Sequence, residues 1–101
     1  MARYELEVVT KKGNKFREGK RTLKETRIYA CALAKRHDCV VNIRKWENYW
    51  KQIEFVFYDP AKNPYMDIRP GFYLQKMGGK RSRVSPKTGD LLDVSKTWRY
   101  V

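Results

Sequence analysis

The sequence predicts an α+β fold, one helix packed on a mostly antiparallel sheet, and three observations carry that prediction. Residues 3–9 alternate in polarity, residues 22–36 combine a helix-start signature with apolar residues at helical spacing, and residues 39–58 hold two β-rich runs around a short break. The order is strand, helix and hairpin, followed by a basic C-terminal hairpin.

In the first strand Tyr4, Leu6 and Val8 fall on one side and Glu5, Glu7 and Val9 on the other, the pattern of a half-buried strand. The chain then reads TKKGNKFREGKR, where Gly13, Asn14 and Gly19 punctuate a basic run. This composition predicts a turn or mobile loop, with Phe16 pinning it to the body.

Thr22-Leu23-Lys24-Glu25 has capping-box spacing and predicts a helix over residues 23–36. On a helical projection Leu23, Tyr29, Ala30, Leu33 and Ala34 share one arc. Lys24, Arg27 and Lys35 fall on an adjacent arc around Cys31. The alanines at 30, 32 and 34 suit a helix lying close on a sheet.

Residues 39–46 and 49–58 flank Glu47-Asn48 and read as a hairpin. Pairing Trp46 with Trp50 sets Arg44 against Gln52, Asn42 against Glu54 and Val40 against Val56. Val41, Ile43, Ile53, Phe55 and Phe57 are then the expected core face, and a slip of one residue would exchange the two faces. A loop-rich passage over residues 59–71 precedes a short strand over residues 72–75. Residues 80–85 and 91–96 flank Pro86-Lys87-Thr88-Gly89 as the second hairpin, and Trp98 and Tyr100 predict a terminus that docks on the body.

A chain of 101 residues predicts a single domain, with residues 1–75 as its core and residues 76–101 as a basic extension. An apolar content of 42% is too high for a disordered chain. Cys31 and Cys39 make no disulfide framework and the start MARYELEVV has no apolar leader core, so a cytoplasmic setting is expected. The longest apolar run, residues 28–34, is too short to span a bilayer, so no membrane partner is expected.

The net charge of +12 points to a polyanionic partner, and its distribution sharpens the point. Residues 38–58 hold three basic and three acidic side chains, whereas residues 1–20 hold six and three and residues 75–101 seven and two. The candidate phosphate contacts are Lys11, Lys12, Lys15, Arg17, Lys20 and Arg21 in the first basic run. The helix adds Lys24, Arg27 and Lys35, and the second hairpin adds Lys80, Arg81, Arg83 and Lys87. If these flanks lie on one side they form a footprint for a nucleic-acid backbone, with DNA and RNA not separated.

Arg44, Trp46, Tyr49 and Trp50, with Tyr58 and Lys51 nearby, form an aromatic group that suits base stacking or a protein contact. A non-enzymatic nucleic-acid-binding module is therefore the expected function. The alternative is a phage-type accessory protein that inhibits a host nucleoprotein complex through a protein interface.

Catalysis and cofactors find little support. His37 is the sole histidine, and the carboxylates Glu5, Glu7, Asp38, Glu47 and Glu54 have no spacing that names a site. Cys31, His37, Asp38 and Cys39 lack the close cysteine pair of a structural zinc site. Gly78-Gly79-Lys80 lacks the glycine spacing and the following Ser or Thr of a phosphate loop.

Overall fold

The computed structural model describes residues 3–60, 71–79 and 81–92. The elements are β1 (Tyr4–Thr10), β2 (Gly13–Glu18), α1 (Leu23–His37), β3 (Val40–Trp46), β4 (Trp50–Asp59), β5 (Gly71–Lys76), β6 (Arg81–Val84) and β7 (Leu91–Leu92). The strands form one antiparallel sheet in the order β2-β1-β3-β4-β5-β6-β7, with α1 packed on the face of β1, β3 and β4. The α+β architecture read from the sequence is the one observed.

α1 starts and stops where its sequence directs. The Thr22 hydroxyl accepts a hydrogen bond from the Glu25 N–H at 3.2 Å, satisfying one of the donors a helix start leaves open. Asp38 takes the left-handed conformation at φ 49°, and the Cys39 N–H donates back to the Ala34 carbonyl. Ala30 and Ala34 are fully buried and let the helix sit close on the sheet, where Leu33 and Cys31 meet Leu6, Val8, Val41, Ile43 and Val56. Leu74 and Val84 extend this core under β5 and β6.

The basic run after β1 is a strand rather than the expected loop. Lys11 and Lys12 form a two-residue turn closed by Gly13 at φ 119°, and β2 pairs with β1 from Thr10↔Gly13 to Glu5↔Glu18. Every residue of β2 is exposed. With no face to bury, it carries no alternation of polarity, which is why the sequence pattern hid it. Phe16 does not pin the run to a core, because it stands 49% exposed.

The β3–β4 hairpin follows the expected register only next to its turn. Trp46 faces Trp50 and Arg44 faces Gln52, and then a bulge between Ile43 and Arg44 shifts the pairing. Beyond it Ile43 faces Glu54, Asn42 faces Phe55 and Val41 faces Val56. Ile53 is the additional residue, and its side chain packs on the core. The extra residue reverses the parity of β4, so Glu54 and Val56 are buried beneath α1 while Phe55 and Phe57 join the uncovered face. The expected core positions Phe55 and Phe57 are thus corrected by one bulge.

The short strand and second hairpin are present as β5, β6 and β7. Lys80, the body of the loop-rich passage over residues 61–70, the strand continuation to residue 96, and Trp98 and Tyr100 lie outside the described residues. No helix among the described residues is long and apolar enough to cross a membrane.

Candidate functional site

The pairing of β1 and β2 gathers charge at one end of the sheet. The Gly19 N–H donates to the Tyr4 carbonyl at 2.8 Å and turns the chain back from β2 toward α1. A Cβ at residue 19 would lie 2.6 Å from the Tyr4 side chain, so the close turn requires glycine. The turn leaves an open cleft of about 460 Å³, in which Arg3, Arg17, Lys20 and Arg21 surround Phe16 and Trp50. Glu5 and Glu18 also reach the cleft, but Arg44 sits 3.6 Å from Glu5 and offsets its charge. The balance in the cleft is positive.

Aromatic rings are held in this region by cations. The Arg44 guanidinium lies 5.2 Å from the Phe16 ring centroid, and the Lys20 ammonium lies 4.7 Å from that of Tyr29. Trp50 meets Trp46 edge to face with centroids 5.3 Å apart. Trp46 and Tyr49 stand at the hairpin tip, 43% and 59% exposed. The aromatic group and the base of the first basic run, far apart in sequence, therefore share one end of the sheet.

The tip of the β1–β2 hairpin forms a second concavity, of about 570 Å³. Lys11, Lys12 and Lys15 face the C-terminal end of α1 there, beside His37, Asp38 and Cys39. On β2, Lys15 pairs with Val8 and Arg17 with Leu6, so both basic side chains share the helix-side face of the sheet. Phe16 and Asn14, at the alternate positions, lie on the uncovered face.

The centre of the uncovered face is a closed polar network. Glu7 accepts hydrogen bonds from Asn14 and Asn42 at 3.0 Å each and from Arg44 at 3.2 Å, while Gln52 donates to Asn42 at 2.8 Å. The Asn42 bond, the Arg44 charge and the Asn14 bond hold the Glu7 carboxyl below its ordinary range, against the opposing effect of burial. Beyond it Phe57 stacks on Tyr73 at 5.8 Å, with the Arg81 guanidinium 5.0 Å from the Phe57 centroid.

The remaining sequence candidates are dispersed. Arg27 is a correction: it is 8% exposed and forms a bidentate pair with buried Glu54, so it has no free charge to offer a ligand. Its position on the helix projection borders the core, and the carboxylate that holds it comes from a distant strand. Lys24 is bound to Asp90 at 2.8 Å, and Lys35 lies over the ring of Tyr58. Tyr58 packs against Phe72, and the bulge places it on the helix-side face, away from Trp50. Arg81 and Arg83 lie on β6, and Lys87 is exposed in the turn that follows.

The two basic flanks do not form one patch. Five strand-to-strand steps separate β2 from β6, roughly 24 Å.

Among the described residues no group of three His, Cys, Asp or Glu side chains could hold a metal ion. Burial pushes the Cys31 thiol up to about 12, and burial with the nearby Asp38 charge raises that of Cys39. Sequence reasoning missed Arg3 and Phe16 as members of the cleft. Phe16 carried a signal as an aromatic inside a basic run and Arg3 carried none, and the two meet only because β1 and β2 pair. Neither protein-family models nor comparison with curated proteins and solved structures gave a match.

Proposed function

We propose that the protein is a small, non-enzymatic nucleic-acid-binding module that engages backbone phosphates. The convergence of Arg3, Arg17, Lys20 and Arg21 around Phe16 and Trp50 carries the reading. Such a cleft can neutralise several phosphates and release their condensed counterions, while the rings accept a base. The three lysines at the hairpin tip extend the same charge along the sheet edge.

The test is fluorescence anisotropy with labelled duplex DNA, single-stranded DNA and RNA over a salt series. Binding that survives physiological salt with a steep log–log slope supports the reading. Binding lost there equally for all three polymers overturns it.

A second reading is favoured by the exposure of Trp46 and Tyr49 at the hairpin tip. These rings suit a protein contact, as expected of an accessory protein that inhibits a nucleoprotein complex. Under that reading, replacing both by Ala abolishes partner inhibition and leaves polynucleotide affinity unchanged.

A further inference from the structure

We propose that the ligand is a single strand that follows the free edge of β2, its phosphates on the Lys15 and Arg17 side and a base over Phe16. This inference rests on the nucleic-acid reading above and narrows it to unpaired polymers.

The geometry of an edge strand supplies the first argument. β2 ends the sheet and all six of its residues are exposed, so a ligand can reach both of its faces at once. Lys15 and Arg17 are two residues apart on one face, a spacing of about 6.8 Å. Each nucleotide contributes one phosphate to the backbone, so two cations side by side on one face can engage neighbouring phosphates of a strand. A strand lying along the edge can therefore place its phosphates on one face of β2 while its bases reach the other. The row continues to Lys11 and Lys12 at one end and to Arg21 at the other, so the edge accommodates a short run of nucleotides.

The rings supply the second argument. Arg44 covers Phe16 from one side, yet half of the residue remains exposed. Trp50 borders the same cleft, whose volume of about 460 Å³ is enough to receive a base. The faces of bases are hidden inside a duplex, so only a single strand can use these rings.

Charge on an edge strand also guards against edge-to-edge pairing, and Lys15 and Arg17 serve that end in any case. An exposed aromatic works against such a guard. Phe16 therefore calls for a ligand.

The experiment compares a 12-nucleotide single strand, in deoxy and ribo forms, with a duplex of the same length by anisotropy at several salt concentrations. The expected result is single-strand binding at least tenfold tighter than duplex binding, with the ribo and deoxy arms showing which sugar is preferred. Phe16→Ala should lose about tenfold in single-strand affinity with its salt slope unchanged. Lys15→Ala with Arg17→Ala should flatten the slope by about 1.4, while Lys76→Ala, far from β2, leaves it unchanged.

Thermal melting checks each variant, and Phe16→Leu keeps the bulk without the ring if Phe16→Ala unfolds. Duplex binding as tight as single-strand binding, with Phe16→Ala and Phe16→Leu both neutral, overturns this inference and leaves the nucleic-acid reading standing. Absence of binding to every polymer at physiological salt overturns both.

Discussion

Arg27 of α1 and Glu54 of β4 meet in a two-armed ion pair, Nε to Oε2 at 2.8 Å and Nη2 to Oε1 at 3.1 Å, with both side chains at most a tenth exposed. The pair joins helix to sheet beside the apolar core that Leu6, Ile43, Val56 and Leu33 form. Removing one member strands the other charge away from water, which costs about 3–5 kcal/mol. Urea denaturation of Arg27→Met should show a loss of that size. The double variant Arg27→Met with Glu54→Leu should recover most of it, since apolar groups of similar volume need no partner.

Glu7 makes the fold sensitive to acid. Its carboxyl titrates below the ordinary value of 4.5 because Asn42, Arg44 and Asn14 favour the charged form. A depressed folded-state value contributes stability above the unfolded value, and that contribution is lost as pH falls through the folded value. The melting temperature should therefore decline from about pH 4.5 downward. Glu7→Gln should be less stable at pH 7 and show a shallower decline, a difference that thermal scans across pH 3–7 would read.

Gly89 sits at φ 75° in the turn between β6 and β7, and a Cβ there would press into the Lys24 carbonyl. Gly78 has a similar φ of 71° with open space around it. Gly78→Ala meets only the backbone penalty, about 1 kcal/mol, while Gly89→Ala adds a steric clash to a penalty of that size. Chemical denaturation should rank the two variants in that order, and equal losses would remove the clash from the account.

The two thiols should react at very different rates. Cys31 is fully buried with its thiol pushed up to about 12, whereas Cys39 is partly exposed at the end of α1. A thiol reagent should modify one equivalent in the native protein and two after unfolding. Modification of Cys39 should quicken as pH rises beyond 9, because its thiolate is also disfavoured at neutral pH.

How much of this was legible depended on whether a segment buries one face. β1 declared itself because Leu6 and Val8 alternate with acids, and α1 because Thr22 and its alanines act locally. The Trp46 and Trp50 pairing was visible because a short turn sets it. β2 was invisible because an edge strand exposed on both faces needs no apolar residue. The Arg27–Glu54 pair was hidden for a different reason, since its members are 27 residues apart and meet only after a bulge no composition announces. The cleft was legible as charge and as aromatic rings. Their meeting depended on strand order and on the turn that Gly19 makes against Tyr4, which are tertiary facts.

The bulge at Ile53 has a consequence for how the chain can change length. Each half of β4 keeps its own inside–outside phase, and Ile53 is the joint between them. Deleting Ile53 would set Gln52 directly before Glu54 in an unbroken alternation, leaving Trp50 and Gln52 on the uncovered face and Glu54 and Val56 in the core, with only the packing of Ile53 lost. A second inserted residue at the same joint has no partner on β3 and widens the break in the ladder. Losses of one residue are thus better tolerated there than gains, and the hairpin that carries Trp46 and Tyr49 keeps its faces when the joint is removed.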